Sequence, residues 1–184
     1  MLILAIGLTL FLGVHFLGIV PKMQAGLKTR FGPGQYKLIY TAISLLGFGL
    51  IIWGKMLAHP TPTLYVPEEW ARNIALIAVP IAMILIVSSF APGHIRHHVG
   101  HPMLAGVMVW SAAHLLANGE SSAVLLFGSF LIWSSITFVT HTLRDTPPPV
   151  VKGWGGDLTA IIIGFLIAMI LMRFHMNLFG IAIL

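Results

Sequence analysis

The sequence predicts an all-α integral membrane protein, a single bundle of six transmembrane helices. Of its 184 residues 58% are hydrophobic, and only 10 Lys and Arg and 5 Asp and Glu carry a formal charge. A soluble domain usually has about 25% charged residues, whereas this chain has 8% and a mean hydropathy of +0.96. So few charges cannot cover a water-facing surface. The high apolar content also excludes a disordered chain. Gly is not periodic, which excludes a collagen-like fibre, and the lack of Cys excludes a disulfide scaffold.

Six apolar runs, separated by short polar or Pro-rich links, approach the roughly 20 residues that a helix needs to cross about 30 Å of hydrocarbon. The predicted spans are residues 2–20, 38–57, 71–90, 103–117, 122–142 and 157–172. Long apolar runs without period-2 alternation favour helices over a closed barrel. Because no internal repeat and no soluble segment interrupts the pattern, we expect one domain over residues 1–184.

Prolines and polar residues mark the irregular points of this pattern. A signal peptide is disfavoured in the first run, because no basic residue follows Met1 and no small-residue cleavage site precedes Pro21. Pro80, near the middle of the third run, predicts a kink. Residues 144–149, Arg-Asp-Thr followed by three prolines, end the fifth run. Asp157, at the head of the sixth, is expected to cap that helix.

The distribution of Lys and Arg predicts the orientation of the chain. The links after the first, third and fifth runs hold Lys22, Lys28, Arg30, Lys37, Arg96, Arg144 and Lys152. The opposite side holds Lys55, Arg72 and Arg173. Because seven Lys and Arg lie on one side and three on the other, the links with seven are predicted to be cytoplasmic and both termini to be outside. The basic residues form no block, so membrane lipid rather than nucleic acid is the expected partner.

Histidine carries the chemical signal of this sequence. The chain has nine His but only five Asp and Glu, and the absence of Cys excludes every thiolate site. His15 in the first run and His114 in the fourth lie inside predicted spans, where an imidazole is expensive and is normally directed at a partner or cofactor. Neutral imidazole is a common axial ligand of haem iron, and helix bundles build such sites from facing helices. Alternatively, each His bonds a neighbouring helix and holds no metal.

The predicted boundaries place His15 and His114 at different depths, about 10 Å apart at 1.5 Å per residue. Helix tilt, or a later start of the fourth span, would have to absorb this difference. Small residues beside both His would leave room for a flat macrocycle. They are Gly13, Gly18, Ala112 and Ala113. His141 and His175, at the ends of the fifth and sixth runs, are weaker candidates because interfacial His is mostly structural.

A second group of His lies in the link after the third run. His94, His97, His98 and His101 have the spacing i, i+3, i+4, i+7, which on a helix would put four imidazoles on one face and suggest a divalent-metal site. The flanking Gly and Pro residues and the lack of a nearby carboxylate favour a solvated loop instead. A third alternative is that Arg96 and these imidazoles contact haem propionates.

Aromatic residues and motifs add little to this picture. Trp110, with Phe127 and Phe130, could line an apolar pocket, although ordinary packing is the alternative. The sequence contains no Gly-rich phosphate loop, no His-Glu-x-x-His and no Gly-x-Ser-x-Gly. It also lacks the pair of membrane carboxylates expected of an ion-coupled transporter.

Several segments resemble the NnrU family. They are His101–Val107, Trp110–Gly119 and Leu125–Phe130, together with Gly13–His15 and Trp53–Gly54. The family comprises bacterial membrane proteins linked to nitric oxide metabolism and denitrification. It is homologous to the plant zeta-carotene isomerase, an integral membrane enzyme that contains b-type haem. The resemblance therefore implies a multi-pass protein of the bacterial inner membrane, with both termini periplasmic in the orientation predicted above.

The resemblance also implies a cofactor and its ligands. In the isomerase, haem ligation is assigned to the His of a Gly-Val-His segment and to the His of a Cys-x-x-His segment, which match His15 and His114 here. Ser111 stands at the Cys position, so thiolate–imidazole exchange on the iron is excluded. The leading hypothesis is an integral membrane b-type haem-binding protein of the NnrU type, involved in nitric oxide or denitrification-related metabolism or in redox metabolism, with nitric oxide as a candidate ligand. The alternatives are a carotenoid cis–trans isomerase with an apolar polyene ligand, and a non-catalytic membrane assembly partner.

Overall fold

The computed structural model describes residues 1–144 and 149–181, and within them the secondary structure is helical apart from one isolated antiparallel bridge, Thr63 to Glu120. The helices are α1 (Leu2–Phe16), α2 (Pro21–Phe31), α3 (Pro33–Ala58), α4 (Glu69–Ser88), α5 (His94–Val99), α6 (Pro102–Ala117), α7 (Ser121–Thr142), α8 (Trp154–Arg173) and α9 (His175–Phe179). The chain divides into two compact units, one of Met1–Thr61 and one that begins at Pro62. The expectation of a single domain stays a prediction.

Glycines bring α1 and α3 of the first unit into close contact. A Cβ on Gly7 would lie 2.7 Å from the amide nitrogen of Ile51, and a Cβ on Gly54 would lie 2.4 Å from that of Leu4. Small residues at such crossings let two backbones approach where lipid supplies no hydrophobic driving force. This packing fixes α1, and with it His15, against α3.

The first predicted span differs from the helix that forms. The prediction covered residues 2–20, but α1 ends at Phe16 and a turn follows. The basic link after it is itself a helix, α2, bent by 93° from α1. Pro21 at its start explains the break, because proline is favoured in the first helical turn and disfavours helix in the residue before it.

In the second unit, α4 packs against both α6 and α8, and α6 also packs against α7. Ala82, Met83 and Ala168 form the centre of a buried cluster between these helices. Gly106 and Gly164 again allow close approach: a Cβ on Gly106 would lie 2.7 Å from the carbonyl oxygen of Ala82. Helix α4 continues through Pro80, and the kink stays a prediction.

Hydrogen bonds between links define the two ends of this unit. At one end, called here the Arg96 end, the Lys152 amide donates to the Pro92 carbonyl (2.9 Å). At the other, the Tyr65 end, the Leu64 amide donates to the Gly119 carbonyl (2.8 Å) and the Tyr65 hydroxyl hydrogen-bonds to the Leu115 carbonyl. Helix α6 therefore runs from the Arg96 end to the Tyr65 end. The predicted break at residues 144–149 falls partly on 145–148, which lie outside the described residues.

Within the described residues, four helices are long and apolar enough to cross a membrane, namely α3, α4, α7 and α8. A fifth span results if the bent pair α1 and α2 counts as one. Helix α6 is apolar but has only 16 residues, because Pro102 begins it and Asn118-Gly119 follows its end. The chain is thus an all-helical, multi-pass membrane protein with four or five candidate spans, and six spans stay a prediction.

Candidate functional site

His15 lies in the last turn of α1 with a defined tautomer. Its Nδ1–H donates to the carbonyl oxygen of Phe11, one turn earlier, at 2.6 Å. Its ring stacks on the Phe11 ring (centroids 4.2 Å apart) and tilts against Tyr40 of α3 (5.4 Å). Because a carbonyl can only accept, the proton must be on Nδ1, and the lone pair of the neutral ring is on Nε2.

His114 has the same local arrangement on α6. Its Nδ1–H donates to the carbonyl oxygen of Trp110, four residues earlier, at 2.8 Å. The imidazole stacks on Phe127 of α7, with centroids 4.4 Å apart and planes 24° from parallel, and lies 5.1 Å from the Trp110 ring. The lone pair is again on Nε2. Both candidate histidines are therefore in the tautomer that coordinates a metal through Nε2.

The structure also clarifies Trp110 and the aromatic residues predicted near it. Trp110 packs edge-to-face against Phe127 (5.0 Å) and Phe130 (5.5 Å), and Phe130 packs in the same way against Trp133 (6.4 Å). Phe127 and Phe130 are buried. These rings fill the space between α6 and α7 around His114. Trp110 thus provides packing, together with the carbonyl that orients the imidazole.

An apolar cavity of about 520 Å³ lies at the Tyr65 end of the second unit. Its lining comes from the link before α4, from α4 itself, and from the last turns of α6 next to His114. The lining includes Tyr65, Val66, Trp70, Ala112, Leu115 and Leu131. An apolar ligand near His114 would find room here, in a place that the sequence did not identify.

Ser111, three residues before His114, is fully buried and its hydroxyl donates to the Val107 carbonyl at 2.7 Å. His175 was considered a weaker candidate, but its Nδ1–H also donates to a carbonyl, that of Ile181 (2.7 Å).

The His-rich link is not the solvated loop that the sequence favoured. Residues 94–99 form the short helix α5. His94 Nδ1–H donates to Asp157 (2.7 Å), and His97 Nδ1–H donates to the Pro149 carbonyl (2.8 Å). His98 is exposed. These bonds tie the link to the start of α8 and order it.

The four imidazoles of this link do not share one face. Helix α5 ends at Val99, and Gly100, with φ at +70°, turns the chain so that His101 points its ring toward His141 (5.4 Å) instead. Across the described residues, no group of three or more His, Asp or Glu is arranged to hold a metal ion. The divalent-metal alternative therefore has no structural support.

Asp157 caps a different helix from the one predicted. Its two carboxylate oxygens accept the amide N–H groups of His94 (2.9 Å) and Ile95 (2.8 Å), the first turn of α5, as well as the His94 imidazole. The start of its own helix α8 has no side-chain cap. Gly93 makes the approach possible, since a Cβ there would lie 2.4 Å from Asp157 Oδ1. Only the fold brings these segments together.

These features define a class: an all-helical, multi-pass membrane protein whose chemically capable groups are imidazoles embedded among aromatic rings. The chain belongs to the NnrU family, whose sequence model, described as NnrU protein, matches residues 3–183. A search of curated proteins finds no match, and neither does a search of solved structures.

Proposed function

We propose that this protein is an integral membrane b-type haem-binding protein of the NnrU type, active in nitric oxide or denitrification-related metabolism or in redox metabolism. The candidate haem ligands are the imidazole of His15 in the first unit and that of His114 in the second, each considered within its own unit. The observation that carries the proposal is the hydrogen bond that each Nδ1–H makes to the carbonyl four residues earlier, at 2.6 Å and 2.8 Å.

This hydrogen bond prepares an imidazole for iron. Metal-ligating His almost always donates its second ring N–H to a carbonyl or carboxylate, which fixes the tautomer, holds the ring orientation and raises the basicity of the ligating nitrogen. Stacking on Phe11 and on Phe127 adds a second restraint on the two ring planes. Both side chains thus have the donor chemistry of axial haem ligands.

Helix α1 is open at Gly13 and α7 at Gly128, since a Cβ added at either position would have no atom within 4 Å. Bound haem b would supply an iron centre suited to electron transfer or to binding a diatomic gas such as nitric oxide. The protein's part is to orient the imidazoles and to surround them with aromatic rings.

The topology that fits this proposal has six spans. Helix α1 provides the first, and α2, which contains Lys22, Lys28 and Arg30, belongs to the link after it. Helices α3, α4, α7 and α8 provide four more, and the short helix α6 provides another. Both termini are then periplasmic in the bacterial inner membrane, with the links that hold seven of the ten Lys and Arg in the cytoplasm.

The haem proposal is tested by the absorbance of detergent-purified protein expressed with sufficient haem, together with a pyridine haemochrome assay. We expect a sharp ferrous Soret and α band that changes with nitric oxide. His15→Ala and His114→Ala should each shift or abolish the bands, whereas His59→Ala, at an exposed position after α3, should not.

Exogenous imidazole distinguishes a ligand from a packing residue. With His15→Gly and His114→Gly, added imidazole should restore the bands, because it can occupy the vacated coordination position. Wild-type protein that stays colourless would refute the proposal and favour the non-catalytic assembly partner. Variants that lose stability but keep an unchanged spectrum would show that the two histidines are packing residues.

A second candidate, haem-dependent cis–trans isomerisation of a carotenoid, is favoured by the apolar cavity of about 520 Å³ beside the end of α6. Its lining suits a polyene, and two lining residues, Ala112 and Leu115, lie within two positions of His114 in sequence. Ser111 supplies no thiolate, so isomerisation here would have to proceed with imidazole ligands alone. Expression in cells that accumulate the cis-carotene tests this candidate, and an unchanged pigment profile would refute it.

A further inference from the structure

Helix α2 of the first unit lies across the two helices that it connects. Close contacts from Leu4 opposite Gly54 to Phe11 opposite Gly47 show that α1 packs along α3, which is long and apolar enough to cross a membrane. The axis of α2 is bent by 93° from that of α1. A helix at right angles to this pair lies close to the plane of the membrane. With 11 residues, or about 16 Å at 1.5 Å per residue, α2 is also too short to cross about 30 Å of hydrocarbon.

One contact fixes the level of α2 along α3. The ammonium group of Lys28 lies over the Tyr36 ring, 5.5 Å from its centroid. Tyr36 is in the first turn of α3, two positions before the apolar run of residues 38–57 begins. Helix α2 therefore lies at the end of the apolar part of α3, where hydrocarbon gives way to lipid headgroups and where Tyr is enriched in membrane proteins.

One face of α2 is apolar. Met23, Leu27 and Phe31 follow one another at four-residue spacing, which places them on the same side of the helix. We call these three residues the apolar stripe. Leu27 is half-buried, whereas 49% of Met23 and 39% of Phe31 are exposed. The protein thus covers only part of the stripe, and the remainder is available to acyl chains.

The other residues of α2 make it basic. Lys22, Lys28 and Arg30 are exposed, and the exposed Lys37 follows in α3. Residues 1–67 contain no Asp or Glu, so the first unit has no carboxylate that could neutralise these cations. Lys and Arg beside the apolar face of a short helix attract anionic lipid headgroups. The charge of α2 therefore identifies an anionic lipid surface as the complementary partner.

The direction of α2 is built into the backbone at both of its ends. Pro21 occupies its first position, and Gly32 follows its last residue with φ at +76°, in the left-handed region that favours glycine. Pro33 then begins α3. These turns hold the apolar stripe and the cations in a fixed orientation relative to α3.

We propose that α2 is an interfacial helix that binds anionic lipid. Its apolar stripe inserts among the acyl chains of one leaflet, and Lys22, Lys28 and Arg30 contact the headgroups of an anionic phospholipid such as phosphatidylglycerol. The proposal requires no haem and holds for either orientation of the chain in the membrane. Failure of the haem proposal would therefore not affect it.

Because the chain contains no Cys, a single bimane fluorophore can be attached to the full-length protein at a chosen position. Met23→Cys places the label on the apolar stripe, and Ala25→Cys places it about 200° further round the helix. The protein is reconstituted in equal parts of phosphatidylcholine and phosphatidylglycerol, and one of the two lipids carries a nitroxide quencher on its acyl chain. We expect strong quenching of the label in Met23→Cys and little in Ala25→Cys.

The preference for a headgroup is measured as the ratio of quenching by nitroxide-labelled phosphatidylglycerol to quenching by nitroxide-labelled phosphatidylcholine. Each Lys or Arg near an anionic surface favours association about fivefold, so the ratio for Met23→Cys should be several-fold above one. Adding Lys22→Gln, Lys28→Gln and Arg30→Gln together should lower the ratio to about one. Arg72→Gln, which removes an exposed charge from α4, is the matched control and should leave the ratio unchanged.

The same measurement can overturn the proposal. Phe31→Cys supplies a second label on the apolar stripe if Met23→Cys fails to fold. If neither lipid quenches a label on the stripe, α2 lies in water or against another protein, and the proposal is wrong. Equal quenching by the two lipids, or a ratio that the three Gln substitutions leave unchanged, would show that the cations do not select anionic headgroups and would overturn it as well.

Discussion

Replacing Gly54 by alanine should force α1 and α3 of the first unit apart. A Cβ at this position would lie 2.4 Å from the amide nitrogen of Leu4, 2.7 Å from its Cα and 2.9 Å from the carbonyl carbon of Ile3. All three are backbone atoms, so no rotation of a side chain relieves the contact. Leu4 is fully buried, and α1 can only move as a unit.

Two opposing effects determine how much Gly54→Ala should lower the free energy of unfolding. Overpacking a tight contact costs about 1–3 kcal/mol when the neighbours cannot rearrange. Alanine recovers about 0.5–1 kcal/mol over glycine within a helix. The net destabilisation of Gly54→Ala should therefore be about 1–2 kcal/mol. Gly49→Ala is the matched control on α3, because its Cβ would have no atom within 4 Å, and it should stabilise the protein by about 0.5–1 kcal/mol.

Unfolding of both variants in mixed micelles with increasing SDS fraction, followed by far-UV circular dichroism, measures the difference. The two alanine variants should shift the midpoint in opposite directions. Equal midpoints, or greater stability for Gly54→Ala, would contradict the close approach of α1 and α3. The packing that holds His15 against Tyr40 would then be wrong as well.

Two further changes test the links of the second unit. Asp157→Ala should speed hydrogen exchange at the Ile95 amide, because that N–H loses its acceptor (2.8 Å). The control Glu69→Ala, in the first turn of α4, should leave exchange in α5 unchanged. If the Ile95 amide exchanges equally slowly in both variants, Asp157 does not cap α5. Gly119→Ala would place a Cβ 1.7 Å from the Tyr65 carbonyl oxygen and should cost at least about 2 kcal/mol, roughly 4–8 °C in Tm for a chain of this size. Gly128→Ala, with no atom within 4 Å, is its control.

The long helices could be predicted from the sequence because a single property, apolar length, determines them. The run 38–57 lies within α3, and the run 122–142 coincides with α7 to within a residue at its start. Helices α2 and α5 could not be predicted in this way, since both lie in polar links. Residues 94–99 are helical because Asp157, 62 residues away from Ile95, accepts the first amides of that turn. Local propensity contains no such information.

The candidate sites show the same distinction between features set by the local sequence and features set by contacts between distant segments. The choice of His15 and His114 as candidates follows from the sequence, because imidazole in an apolar run is rare and expensive, whereas their depth in the membrane stays a prediction. The contacts of Asp157 with His94 and Ile95 do not follow from the sequence, because the two segments lie more than 60 positions apart and each looks ordinary alone. Spacing within one helix can be counted in the sequence, but a contact between distant segments becomes visible only when the fold brings them together.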